Sequence, residues 1–179
     1  MLFVIYYVII HVGEIMSDDN KEYIQIVGKL LENRKFNKLK NEVHHHNSNR
    51  FNHSLEVSFK TYKICKKLGF DYESATRGAL LHDFFFDKDF NNKRESMLEH
   101  PKKARENAEK ITRLSPKEKN IIESHMYPVG GKFPRYIESV VVDLVDDYVS
   151  VKEKLGGDFR ATKAAVNFLF ILAISVLFR

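Results

Sequence analysis

A histidine and an aspartate stand side by side at the end of an apolar run, Gly78-Ala79-Leu80-Leu81-His82-Asp83. Unpaired polar groups in a core cost several kcal/mol, so a buried pair of this kind needs something to offset its desolvation. A divalent cation does so, because imidazole nitrogen and carboxylate oxygen are both good ligands for Zn, Mn or Fe. Two adjacent side chains cannot close a coordination shell, and the remaining ligands must come from elsewhere. His53 lies upstream; His100, His125 and the acid-rich stretch holding Asp143, Asp146 and Asp147 lie downstream. Asp143 and Asp146 are three apart and share a helix face, whereas Asp147 points away. Each candidate also has a plainer reading. His100, before Pro101, could cap a helix, and His125 could merely close one.

Helical spacing supplies the elements that must carry these groups. Ser17 or Asp18 can cap a helix with Tyr23, Ile26, Val27, Leu30 and Leu31 on its inner face, continuing weakly through Phe36, Leu39 and Val43. His44, His45 and His46 follow; three consecutive imidazoles point in different directions and read as an exposed helix end. A second helix carries Phe51, Leu55, Phe59, Tyr62 and Cys65 and stops at Gly69. Asp71 caps a third, whose small residues Ala75, Gly78 and Ala79 permit close packing and which ends on His82-Asp83. A loop through Phe84-Phe85-Phe86 to Arg94 follows, and these phenylalanines suit either an apolar wall for a base or plain packing. Pro101 opens a fourth helix. Ser115-Pro116-Lys117-Glu118 is a capping box that starts a fifth, carrying Ile121, Ile122 and His125. Tyr127 to Pro134 is a loop, and a sixth helix runs from about Arg135 to Lys154. No alternating β pattern interrupts residues 16–157, so the expectation is one all-α domain.

Composition agrees with a folded chain of this size. The 179 residues are 44% hydrophobic and 30% charged, with net charge +5 and the two signs interspersed. That balance favours an anionic partner weakly, and the absence of a long basic stripe with interleaved aromatics argues against a nucleic-acid polymer. The single cysteine, Cys65, excludes an intrachain disulfide and a Cys-rich zinc site, and a reducing, cytoplasmic setting is the default. The ends differ from the middle. Residues 1–15 read as an apolar extension, with Met16 as the true start, the alternative being a short membrane-surface or packing segment. They lack the basic region and cleavage site of a signal peptide. Residues 158–179 form an apolar C-terminal helix; Ala164 to Phe178 would reach about 22 Å, short of the roughly 30 Å hydrocarbon core. It is either a shallow membrane tail on the cytoplasmic face or a helix packing on the domain or on a second copy.

The order His, His-Asp, His, His, Asp resembles that of the HD superfamily of metal-dependent phosphohydrolases. The matching segments are Arg50-Phe51-Asn52-His53-Ser54, Ala79-Leu80-Leu81-His82-Asp83, His100-Pro101, His125-Met126-Tyr127-Pro128 and Leu144-Val145-Asp146, within residues 50–154. The resemblance implies a single HD-type helical bundle binding one or two divalent ions, whether Mn, Fe, Co, Zn or Mg. His53, His82, Asp83 and a late Asp would hold the first ion. Asp146 is favoured for that place by the apolar run before it, with Asp143 the fallback. Asp83 would bridge to a second ion held by His100 and His125. His82 and Asp83 are thereby the catalytic pair, and Arg50, one helical turn before His53, could reach a bound phosphate with its guanidinium fork.

The departures narrow the substrate. HD-GYP cyclic dinucleotide phosphodiesterases carry a lysine three residues after the aspartate, where this chain has Phe86, and only Tyr127-Pro128 survives of the Gly-Tyr-Pro motif. Small stand-alone bacterial HD proteins, including the symmetrical dinucleoside tetraphosphate hydrolases, are nearer in size and motif order. The resemblance therefore implies hydrolysis of a phosphorylated small molecule of nucleotide type by a metal-activated water. Two alternatives stay open: a non-catalytic domain sensing a nucleotide or metal, with or without a membrane tether, and a metal-dependent oxygenase. A homodimer is compatible with either.

Overall fold

The computed structural model describes residues 18–43 and 48–154. The His44 to His46 run, the N-terminal extension and the apolar C-terminal segment lie outside them. Among the described residues there are six α-helices and no strand: α1 (Asp18–Leu31), α2 (Arg50–Leu68), α3 (Tyr72–Leu81), α4 (Lys93–Glu109), α5 (Pro116–Ser124) and α6 (Ile137–Lys154). The all-α expectation holds. No helix among the described residues is long and apolar enough to cross a membrane.

Local chemistry sets most of these boundaries. Asn49 accepts a hydrogen bond from Asn52 N at 2.9 Å to start α2, and Gly69, at φ 73°, ends it in the left-handed conformation. Asp71 accepts from Ser74 N to start α3. The capping box at Ser115 forms in both directions, Glu118 N to Ser115 Oγ at 3.2 Å and Ser115 N to Glu118 Oε2 at 2.6 Å.

Two expectations are corrected. The first helix does not run on through Phe36 and Leu39. Asn33 Oδ1 accepts from Lys35 N and Phe36 N, turning the chain into a short 3₁₀ helix, Phe36–Asn41. The fourth helix does not start at Pro101 either. It starts at Lys93, because Asn92 accepts from Glu95 N at 2.9 Å, and Pro101 lies inside it. His100 is therefore a mid-helix residue rather than a cap.

The larger apolar core joins Tyr23, Val27 and Leu30 of α1 to Phe51, Leu55 and Tyr62 of α2 and Leu80 and Leu81 of α3. Phe84 and Phe86 belong to it; Phe84 packs edge-on against Phe36 at 5.3 Å and is fully buried. These rings are packing, not an open wall. A smaller core ties Val57 of α2, Ala79 of α3 and Ile121 of α5 to Val142, Val145 and Val149 of α6. The groups flagged by the sequence lie along helices that these two cores clamp together.

Candidate metal centre

Five separate elements deliver the ligand candidates. His53 lies in the first turns of α2, His82 caps α3 with Asp83 next, His100 lies in α4, His125 caps α5, and Asp146 lies midway along α6. All four imidazoles and Asp83 are buried, His53 and His82 completely. They converge. Three sets place one donor atom per residue within 4.8 Å of one another: His53, His82 and Asp83; His82, His125 and Asp146; and Asp83, His100 and His125. Asp83 belongs to two of the sets, its Oδ1 lying 3.6 Å from His100 Nε2 and 3.7 Å from His125 Nε2. Asp146 Oδ1 is 2.8 Å from His53 Nε2 and 3.5 Å from His82 Nε2. Asp143 joins none of these sets, and Asp147 is exposed.

The backbone fixes how three of the rings face. Nδ1 of His82 donates to Ala79 O at 2.7 Å, that of His100 to Ser96 O at 2.8 Å, and that of His125 to Ile122 O at 2.8 Å. Each carbonyl lies one helical turn back, so each ring carries its proton on Nδ1 and turns the Nε2 lone pair inward. His100 Nε2 and His125 Nε2 then face each other at 2.9 Å. Two lone pairs at that distance repel unless a proton or a cation lies between them. His82 Nε2 is buried with no hydrogen-bond partner. A cation fits both features, and the imidazole and carboxylate donor set suits Mn, Fe, Co or Zn.

The electrostatics divide the centre in two. Burial pushes His125 down to about 3, helped by the neighbouring His100 and His82, and burial likewise lowers His100. Both rings are neutral and ready to ligate. Burial also opposes charge on His53, but the hydrogen bonds to Asp146 and Glu153 outweigh it and raise the ring to about 10. His82 is raised too, its desolvation outweighed by the charges of Asp146 and Asp83. Asp146 stays well below its usual value despite burial, held there by His82 and His53. The His53 side of the centre therefore favours positive charge, and the His100 and His125 side favours neutral rings.

Glu153 is the residue that sequence reasoning missed. Its Oε2 lies 3.2 Å from His53 Nδ1, and Ser48 Oγ donates to its other oxygen at 2.9 Å. A carboxylate behind a ligating histidine orients the ring and raises its basicity. The available signal was its place seven residues after Asp146, on the same face of α6.

Arg50 is buried beside the centre. Its guanidinium donates to Glu42 Oε2 at 3.1 Å and to the exposed Asp87 at 2.6 Å, and it stacks on the Phe85 ring at 3.9 Å. Phe85 in turn packs against His100, with centroids 4.8 Å apart. Arg50 Nε has no partner. A cleft of about 510 Å³ opens beside this stack, with Arg50, Asp87, Phe90, Lys93 and Ser96 in its wall.

The family model described as HD domain matches residues 50–150, more than half the chain, and the chain belongs to that family. No curated protein and no solved structure matches it.

Proposed function

We propose that this HD-domain chain is a metal-dependent phosphohydrolase acting on a phosphorylated small molecule of nucleotide type. One observation carries the reading: inward-facing imidazole Nε2 atoms and two carboxylates meet at one point, and His82 Nε2 is buried there with no hydrogen-bond partner. His53, His82, Asp83 and Asp146 would hold one ion and Asp83, His100 and His125 a second. Divalent cations bound there would bring the pKa of water toward neutrality and offset charge on phosphate oxygens.

The chain's own groups do the positioning. Ala79, Ser96 and Ile122 carbonyls aim three rings, and Glu153 aims the fourth. The cleft beside Arg50 is the entry for substrate, since Ser96, whose carbonyl aims His100, lies in its wall. A phosphate entering there competes with the exposed Asp87 for the outer arm of Arg50.

The test is phosphate release from mono- and dinucleotides by protein loaded with Mn, Fe or Co. Turnover is expected, and it is expected to vanish in His82→Ala/Asp83→Ala; turnover unchanged in that variant would refute the assignment. The engagement of both arms of Arg50 by Glu42 and Asp87 favours a second reading, a non-catalytic domain that binds a nucleotide or a metal. Tight binding with no turnover under any metal identifies that case.

A further inference from the structure

On the other side of Glu42 lies a second cleft, of about 460 Å³, outside the histidine and aspartate centre. Lys35 reaches it from the turn after α1, Lys38 from the 3₁₀ helix Phe36–Asn41, Lys88 from the 3₁₀ turn Asp87–Asp89, and Lys110 from the end of α4. Most lysines with partners in this fold face carboxylates, as Lys119 does Glu109 at 2.8 Å and Lys132 does Glu123 at 2.9 Å. Among the described residues none of these four forms an ion pair. Lys110 makes only a long contact, 3.4 Å, with Asn107 Oδ1, and Lys88 lies over the Phe86 ring at 5.8 Å.

The two acids in the wall are already engaged. Glu42 accepts from Arg50 and from Asp87 N, and Asp89 accepts from Phe86 N at 3.3 Å. Four ammonium groups against two engaged carboxylates leave this concavity with an excess of positive charge that an anion would offset. The half-buried Lys35 registers the crowding: burial first, then the charge of Lys110, lowers its ammonium from the usual value, and Lys38 adds to the fall against the opposing pull of Asp89.

We propose that this cleft binds an oligophosphate anion, each lysine meeting a different stretch of the phosphate chain. Lysine ammonium groups act as point charges with rotatable donors, which suits a flexible chain of phosphates better than one rigid bidentate group. The cleft offers no exposed aromatic face for stacking bases, since Phe86 is 7% exposed, and this sets it apart from a single-stranded nucleic-acid groove.

The test titrates inorganic triphosphate into the full chain by calorimetry, with no added metal. Saturable binding is expected, at least tenfold weaker in Lys35→Ala/Lys110→Ala. The charge-matched Lys119→Ala/Lys132→Ala variant should keep wild-type affinity. Absent binding, or equal weakening in the two double variants, overturns the site and assigns any attraction to net charge alone. Circular dichroism and metal uptake, unchanged in both variants, keep the result independent of folding and of the histidine centre. Adenosine triphosphate binding more tightly than inorganic triphosphate assigns the chain of phosphates to a nucleotide, and equal binding assigns it to a free oligophosphate. Either outcome supports the cleft.

Discussion

Replacing Gly78 by alanine tests whether helix spacing sets the metal centre. Gly78 lies four residues before His82 on α3, and Ile121 lies four residues before His125 on α5. Their contact therefore sits one turn beneath the contact between the two rings, whose centroids are 4.9 Å apart. A Cβ on residue 78 would stand 2.7 Å from Ile121 Cγ2 and 2.9 Å from its Cβ. Carbon atoms pack at about 3.5–4.0 Å, so the helices must part by about 1 Å. Overpacking of this sort costs about 1–3 kcal/mol, and removing a helical glycine returns about 1 kcal/mol. Two contacts with a fully buried branched side chain place the strain at the upper end. A net loss of about 2 kcal/mol is expected in urea unfolding, with turnover down on the order of 100-fold from misplaced ligands. Ile121→Ala alone should cost about 2–5 kcal/mol. The Gly78→Ala/Ile121→Ala pair should cost less than the sum by about 1 kcal/mol or more, because part of the collision is gone. Strict additivity, or a Gly78→Ala protein stabilised by about 1 kcal/mol with unchanged metal affinity, would refute the reasoning.

Three further outcomes are expected. Glu153→Gln should weaken cation affinity by about 10- to 100-fold in a chelator competition, with little change in melting temperature, because His53 loses the carboxylate that orients it. Asp143 is pushed up to about 8 by burial and by the nearby Asp147 and Asp146, so between its ordinary value and about 8 the folded state holds a proton that the unfolded state has released. Stability must therefore fall as pH rises through that window, and Asp143→Asn should flatten the fall, raising the melting temperature at pH 8 by about 3 °C and leaving it unchanged near pH 4. Asp87→Ala should free one arm of Arg50, lowering KM for a phosphate ester with kcat little changed; the pair is solvated at its Asp87 end and Arg50 keeps Glu42, so the loss of stability should be about 1 kcal/mol or less.

How far the sequence could be read depended on whether a feature is local. The caps at Asn49, Asp71 and Ser115 and the stop at Gly69 are decided within one turn of chain, and the helices they bound were legible, as were the all-α class and the family. Asn33 and Asn92 are equally local signals, but each competes with another: the first with a hydrophobic spacing that continues through Phe36 and Leu39, the second with Pro101, a residue common in first turns. The ligand candidates could be named because imidazoles and acids are scarce on apolar faces. That His53, His82, Asp83 and Asp146 converge, and that Asp143 does not, depends on where α6 crosses α2, which no local pattern encodes. The same holds for Glu153 behind His53 and for Asp87 on Arg50, whose partners come from distant segments. Phe84 and Phe86 could be read as packing or as an open wall until the position of Phe36 decided it.

Metal content after equilibration with Mn(II) and removal of loose ions tests the central claim most directly. Asp83 belongs to two of the converging sets and Asp146 only to one. The wild-type chain should retain two equivalents, Asp146→Ala about one, and Asp83→Ala almost none. A wild-type chain that retains no ion, or an Asp83→Ala chain that retains as much as the wild type, would contradict the account.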